Sequence, residues 1–166
     1  MKTKLLVAAL GIALAGAPSD ASAAAPQVRT FLGEAMKGDN SEVNLGSLAA
    51  RRGSSGQVRD FGHMLVTDHG KAKVEVGALA RQMRVPVTDR IAPEAAAERA
   101  KLLRLHGTSF DREFARYMVE DHKKDIGKFE AEAKSRDPVA VTSLARRTLP
   151  TLRKHLAVAE RLVTQR

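Results

Sequence analysis

The chain of 166 residues contains no cysteine and no tryptophan. Without cysteine no disulfide can form, so the fold must be held by burial and helix packing alone. The aromatic residues are five Phe and the single Tyr117, which leaves few surfaces on which single-stranded bases could stack. These absences exclude a disulfide-rich scaffold and a cysteine nucleophile.

Long runs of basic residues are also absent, although the chain is basic overall. Its formal net charge is +9, and no stretch of five or more consecutive residues is basic. A scattered positive charge predicts attraction to anionic envelope surfaces, such as a membrane or lipopolysaccharide. We therefore expect no specific nucleic-acid binding.

The N-terminus has the three parts of a secretory signal peptide. Lys2 and Lys4 precede an apolar run that ends at Ala17, and the small residues 21–23 follow it. This order predicts cleavage after Ala23. The run of about 13 residues is shorter than the roughly 20 that span a bilayer, and no later stretch approaches that length. The sequence thus predicts a periplasmic or secreted protein with one domain over residues 24–166 and no transmembrane segment in the mature chain.

Apolar residues recur at spacings of three and four beyond Pro26, which predicts an all-α domain. The first helix is predicted over residues 27–51, with a break or kink at 38–41. The second begins near Ser54 or Ser55 and ends near residue 84, before Pro86. After a short helix over about 93–105, the third main helix is predicted over 108–135. Asp137 and Pro138 begin the fourth, which ends near 164 and is kinked or interrupted at Pro150.

The lengths of the connections predict how these helices pack. Short links join the first helix to the second and the third to the fourth, whereas a long link joins the middle two. A repeat supports this arrangement, since residues 61–69 match residues 114–122 in Phe, Val, Asp and His. The two middle helices then present the same face in the same chain direction. We predict a ferritin-like four-helix bundle with a crossover that contains a short helix.

One ionisable residue on each main helix is predicted to face the core. His69, His122 and His155 have mostly apolar or small neighbours at helical spacings, as does Glu42 on the first helix. A buried ionisable group is costly unless it is paired or bound to a ligand. We therefore expect the four to meet. Asp68 and Asp121, next to two of the histidines, are candidates for orienting an imidazole or for binding a metal directly.

Two interpretations of this set remain open from the sequence. One is a site for a single transition-metal ion with Glu42, His69, His122 and His155 as ligands; copper, iron, zinc and manganese all suit imidazole and carboxylate. Nearby methionines make copper conceivable: Met36, Met64 and Met118. The other is a buried hydrogen-bond network that fixes helix register. His63 and His106 are expected to be solvent-exposed.

No sequence motif identifies an enzyme. The chain has no Gly-x-Ser-x-Gly elbow and no glycine-rich phosphate loop, and it lacks the Glu-x-x-His motifs of di-iron bundles. One metal is therefore more credible than two. We consider a metal-binding or stress-related bundle first, a non-enzymatic envelope interaction protein second, and an oxidase third.

Several segments resemble the bacterial DUF4142 family. These are residues 42–49, 64–69, 110–114, 118–122 and 149–156, and they include the doubled Asp-His and the Leu-Pro-x-Leu-x-x-His ending. The resemblance spans nearly the whole mature chain. It implies a ferritin-like bundle of unsettled activity, often labelled a predicted outer-membrane protein. It also implies that the following are family positions: Glu42, Asp68, His69, Asp121, His122 and His155.

Overall fold

Residues 24–164 are described in a computed structural model, and all regular structure in that range is helical. The five helices are α1 (Pro26–Arg52), α2 (Gly56–Gln82), α3 (Pro93–Leu102), α4 (Gly107–Ala133) and α5 (Val139–Thr164). The predicted signal peptide, residues 1–23, lies outside the described residues. The all-α prediction and the short helix within the long connection are confirmed.

The four long helices form two hairpins, α1 with α2 and α4 with α5, which meet through α2 against α5 and α1 against α4. At the first hairpin the backbones approach so closely that a Cβ on Gly62 would lie 2.6 Å from the carbonyl oxygen of Gly46. The link from α2 to α4 returns along the bundle, so these two helices run in the same direction. The predicted crossover bundle is therefore observed.

The bundle interior divides into three layers along its length. At one end the first apolar cluster contains Leu32, Met36, Leu144 and Leu152. At the other end the second apolar cluster contains Phe61, Leu65, Phe110 and Phe114. Between them, each long helix contributes buried polar residues: Asp39 and Glu42 on α1, His69 on α2, His122 on α4 and His155 on α5.

The predicted break at residues 38–41 is wrong, because α1 is helical from Pro26 to Arg52. The polar side chains that suggest a turn find tertiary partners instead. Asn40 Nδ2 donates to the carbonyl oxygens of Thr88 and Arg90. Ser41 Oγ accepts from the backbone amide of Ala92 at 3.0 Å. These contacts tie the middle of α1 to the crossover link.

Pro150 does not interrupt α5, which is helical from Val139 to Thr164. The proline is exposed, so the carbonyl that loses its helical donor faces solvent, where water can serve it. The predicted cap of this helix also differs. Asp137 Oδ1 accepts from Gln27 Nε2 at 3.1 Å, and the carbonyl of Pro138 accepts from the amides of Val141 and Thr142.

The other helix ends fall close to their predicted positions. Ser55 caps α2 through a hydrogen bond from the Val58 amide. The short helix α3 ends at Leu102, three residues early, and α4 begins at Gly107 rather than at Thr108 or Ser109. Gly107 has a φ of 57°, a backbone conformation that glycine adopts without strain.

Candidate functional site

Three histidines meet in the middle layer of the bundle. His69, His122 and His155 are 4%, 1% and 0% exposed, respectively. Their ring centroids are 5.9 Å apart for His69 and His122, 5.2 Å for His69 and His155, and 5.4 Å for His122 and His155. One ring nitrogen from each lies within 4.8 Å of the other two. The rings therefore converge on one point, the three-histidine position.

Each ring is oriented by a hydrogen bond from one of its nitrogens to an oxygen. His69 Nδ1 donates to Asp39 Oδ1 at 2.9 Å, and His122 Nδ1 donates to the carbonyl of Met118 at 3.0 Å. His155 Nε2 donates to Asp68 Oδ2 at 3.0 Å. These bonds fix both the orientation and the tautomer of each ring.

The second nitrogen of each ring makes no hydrogen bond within residues 24–164. These atoms are His69 Nε2, His122 Nε2 and His155 Nδ1, and all three are fully buried. A buried polar atom without a partner costs about 1–3 kcal/mol. Among the described residues, the layer thus presents three buried ring nitrogens without hydrogen bonds, as imidazoles that bind a metal do.

Burial keeps two of the histidines in the form that can bind a metal. Loss of solvation lowers the pKa of His122 to about 3, and the neighbouring rings of His69 and His155 lower it further. Loss of solvation also lowers the pKa of His155 to about 4, although its bond to Asp68 acts in the opposite direction. At neutral pH both rings are uncharged.

Glu42 lies on the other side of His122. Its Oε1 is 3.7 Å from Nδ1 of His122, the nitrogen that faces away from the unpartnered Nε2. With Asp121 and His122 it forms a second group of ligand atoms, all within 4.8 Å of one another. The predicted set of four is therefore divided into two groups that share His122.

The pKa of Glu42 lies well above its ordinary value. Burial is the largest cause, and the adjacent carboxyl group of Asp121 raises the pKa further. Burial likewise raises the pKa of Asp125 to about 6, again with a contribution from Asp121. Negative charge is therefore disfavoured on this side of the layer.

Two carboxylates of the middle layer were not among the predicted residues. Asp39 orients His69, but its position within residues 38–41 resembled a turn. Asp125 follows Asp121 by one helical turn and is half-buried. The signal that identifies both is their spacing, since Asp39 precedes Glu42 by three residues and Asp125 follows His122 by three.

The remaining predicted residues lie where the sequence placed them or in the apolar clusters. His63 and His106 are exposed. Met36 packs in the first apolar cluster, and Met64 and Met118 in the second. Met118 reaches the layer through its backbone carbonyl, which orients His122.

A surface cleft leads toward the three-histidine position. It has a volume of about 240 Å³, lies between α2 and α5, and is lined by Asp68, His69 and Thr151 among others. The side chain of Asp68 is 24% exposed; its Oδ2 forms an ion pair with exposed Lys154 at 3.9 Å and accepts the hydrogen bond from His155. The cleft therefore reaches His69 from the surface.

Comparisons with known proteins agree with the fold. The model of a domain of unknown function, DUF4142, matches residues 13–162. No curated protein matches the chain in a sequence search. Among solved structures, the "Crystal structure of DUF305 fragment from Deinococcus radiodurans" is similar, with a TM-score of 0.74 and 21% identity over 86% of this chain and 98% of that chain. At this identity the likeness supports the fold alone.

The described helices were compared with the length and hydropathy that a membrane-spanning helix requires. Between residues 24 and 164, no helix is both long and apolar enough to cross a bilayer.

Proposed function

The chain belongs to the DUF4142 family, and we propose that it is an exported protein that binds a transition-metal ion through His69, His122 and His155. The predicted signal peptide supports export to the periplasm or beyond. Asp39, Asp68 and the Met118 carbonyl orient the three ligands. Glu42 is not assigned to this ion, because it lies beside the opposite nitrogen of His122.

The observation that carries the proposal is the convergence of three buried rings, each of which has one nitrogen without a hydrogen bond among the described residues. A purely structural network would use both nitrogens of each ring, since a buried donor or acceptor left unpaired is costly. Here one nitrogen of each ring is paired with an oxygen, and the other has no hydrogen bond among the described residues. One nitrogen of each ring also lies within 4.8 Å of the other two. A bound cation would satisfy all three nitrogens at once.

The donor set indicates which metals suit the position. Three imidazoles without a thiolate suit zinc, copper, iron and manganese in their divalent states, and zinc and copper bind nitrogen ligands more tightly than manganese. Three protein ligands also leave a further coordination position for water or a small molecule. The cleft between α2 and α5 provides access to it.

Metal analysis of the purified protein tests the proposal. Metal-free protein is dialysed against Zn²⁺ or Cu²⁺ and analysed for bound metal, and its melting temperature is measured with and without the ion. We expect at least one ion per chain and a higher melting temperature, because a ligand that binds only the folded state stabilises it. His69→Ala and His122→Ala should each weaken binding at least 100-fold.

Exposed histidines provide matched controls. His63→Ala, on the same helix as His69, should bind the metal as tightly as the wild type. The proposal fails if the wild type takes up no metal, or if His69→Ala and His122→Ala retain the affinity of the wild type.

A further inference from the structure

Glu42 and Asp121 form a carboxylate pair on the α1 and α4 side of the middle layer. One oxygen of each carboxyl group and a ring nitrogen of His122 all lie within 4.8 Å of one another. Glu42 is 1% exposed, whereas Asp121 is half-buried. The pair adjoins the three-histidine position through the ring of His122 but does not face its three unpartnered nitrogens.

No Lys or Arg side chain forms an ion pair with either carboxylate within residues 24–164. Lys128, which lines the cleft beside Asp121, forms ion pairs with Glu34 and Asp125 instead. Ionisation of two adjacent carboxyl groups is unfavourable unless a cation lies beside them, and without one the pair retains a proton. No described Lys or Arg side chain supplies that cation, so the pair either keeps a proton or binds a metal ion.

A second observation locates where that charge would lie. Oε2 of Glu42 is fully buried and accepts no hydrogen bond from any described residue. If both carboxyl groups are ionised, neither can donate to the other. The free oxygen and the adjacent Asp121 then offer oxygen ligands at one point.

This side of the layer also has its own access from solvent. A cleft of about 190 Å³ lies between α1 and α4, and its lining includes Ser41, Tyr117, Asp121 and Asp125 together with Lys37 and Lys128. It is separate from the cleft between α2 and α5, which reaches His69. A hydrated cation can therefore approach Asp121 without passing the histidines.

We propose that Glu42 and Asp121, beside His122, hold a second divalent cation next to the three-histidine position. Carboxylate oxygens suit a hard cation such as Mn²⁺, Mg²⁺ or Ca²⁺, whereas the histidines suit a softer one. Nδ1 of His122 remains bonded to the Met118 carbonyl, so the two carboxylates carry the coordination. The second position stands whether or not the first binds a metal.

Manganese binding to zinc-loaded protein tests this assignment. The purified protein receives one equivalent of Zn²⁺ and is then titrated with Mn²⁺, with free Mn²⁺ followed by its electron paramagnetic resonance signal. We expect the wild type to bind one Mn²⁺ per chain. Glu42→Gln and Asp121→Asn should each weaken Mn²⁺ binding at least tenfold and leave the Zn²⁺ content unchanged.

The matched control is Glu98→Gln on α3. Glu98 is also buried and also has a carboxylate oxygen without a hydrogen bond among the described residues, but it lies outside the middle layer. Its replacement should not alter Mn²⁺ binding. Asp121 is partly exposed, so Asp121→Asn remains informative if Glu42→Gln fails to fold.

The outcomes separate the two proposals. Zinc uptake without Mn²⁺ uptake, or Mn²⁺ affinity unchanged in both carboxylate variants, overturns the second position and indicates a shared proton. Uptake of Mn²⁺ without zinc overturns only the three-histidine position. If neither ion binds, both proposals are wrong.

Discussion

The apolar clusters and the three histidines of the middle layer are all buried, but they differ in how completely their side-chain atoms find partners. In the second apolar cluster, Phe61, Phe110 and Phe114 pack ring against ring, with centroids 6.0 and 6.3 Å apart. In the middle layer, each of the three histidines leaves a buried nitrogen without a hydrogen bond among the described residues.

This difference separates the parts of the chain that stabilise the fold from those that are available for function. Apolar burial contributes about 25 cal/mol per Å², so the two clusters supply the folding free energy. The unpartnered nitrogens and the carboxylate pair oppose folding unless something binds them. Buried groups that destabilise the fold and come from all four long helices are what we expect of a ligand-binding site.

The largest change in stability should come from a substitution in an apolar cluster. Phe114 is fully buried between two other rings. Phe114→Ala should lower the free energy of unfolding of the metal-free protein by about 3–5 kcal/mol, because it creates a cavity in a packed core. Urea denaturation measures this change. Val74→Ala on the surface of α2, where Val74 is 70% exposed, should stay within about 0.5 kcal/mol, and equal losses in the two variants would contradict the division into layers.

Replacing His122 in the middle layer should have a smaller effect than replacing Phe114, and in the opposite direction: it should stabilise the metal-free protein at low pH relative to the wild type. The pKa of His122 falls from 6.5 to about 3 on folding. Below pH 6.5 the unfolded chain therefore binds a proton that the folded chain does not, and the free energy of unfolding decreases as the pH is lowered. Between pH 6.5 and 5, metal-free wild type should lose roughly 1.5 kcal/mol relative to His122→Leu. Thermal or urea unfolding across this range measures the difference.

The carboxylates of the layer act in the reverse direction but are common to both proteins. Because the pKa of Asp125 is raised to about 6, its contribution to stability is present at low pH and is lost as pH rises through that value. The comparison of wild type with His122→Leu therefore isolates the histidine. A difference that does not change with pH would show that His122 is protonated in the fold.

Local sequence patterns were sufficient for the helices, because periodic apolar residues and short links specify an antiparallel pair wherever they occur. The segment from Gly38 to Ser41 shows where such patterns fail. Its residues resemble a turn, yet Asn40 and Ser41 bond to backbone groups of the crossover about 50 positions away. These partners cannot be identified from neighbours along the chain.

The residues of the candidate site could be predicted in part, because helical spacing shows which side chains face the core but not which atoms they contact. Helical spacing correctly placed Glu42, His69, His122 and His155 on buried faces. It could not show which nitrogen of His122 faces Glu42, since that depends on the rotation of the ring against α1. Asp68 was expected to bond a histidine of a neighbouring helix, and it bonds His155. The division into two groups required the tertiary structure.

The most direct test of the central claim is the state of the histidine ring nitrogens with and without Zn²⁺. Long-range ¹H–¹⁵N NMR distinguishes protonated, free and metal-bound nitrogens on ¹⁵N-labelled protein. In the metal-free state, the hydrogen bonds predict protons on Nδ1 of His69 and His122 and on Nε2 of His155. On addition of one equivalent of Zn²⁺, His69 Nε2, His122 Nε2 and His155 Nδ1 should shift to metal-bound values while the protonated nitrogens stay in place. Unchanged nitrogen shifts in all three rings would contradict the account.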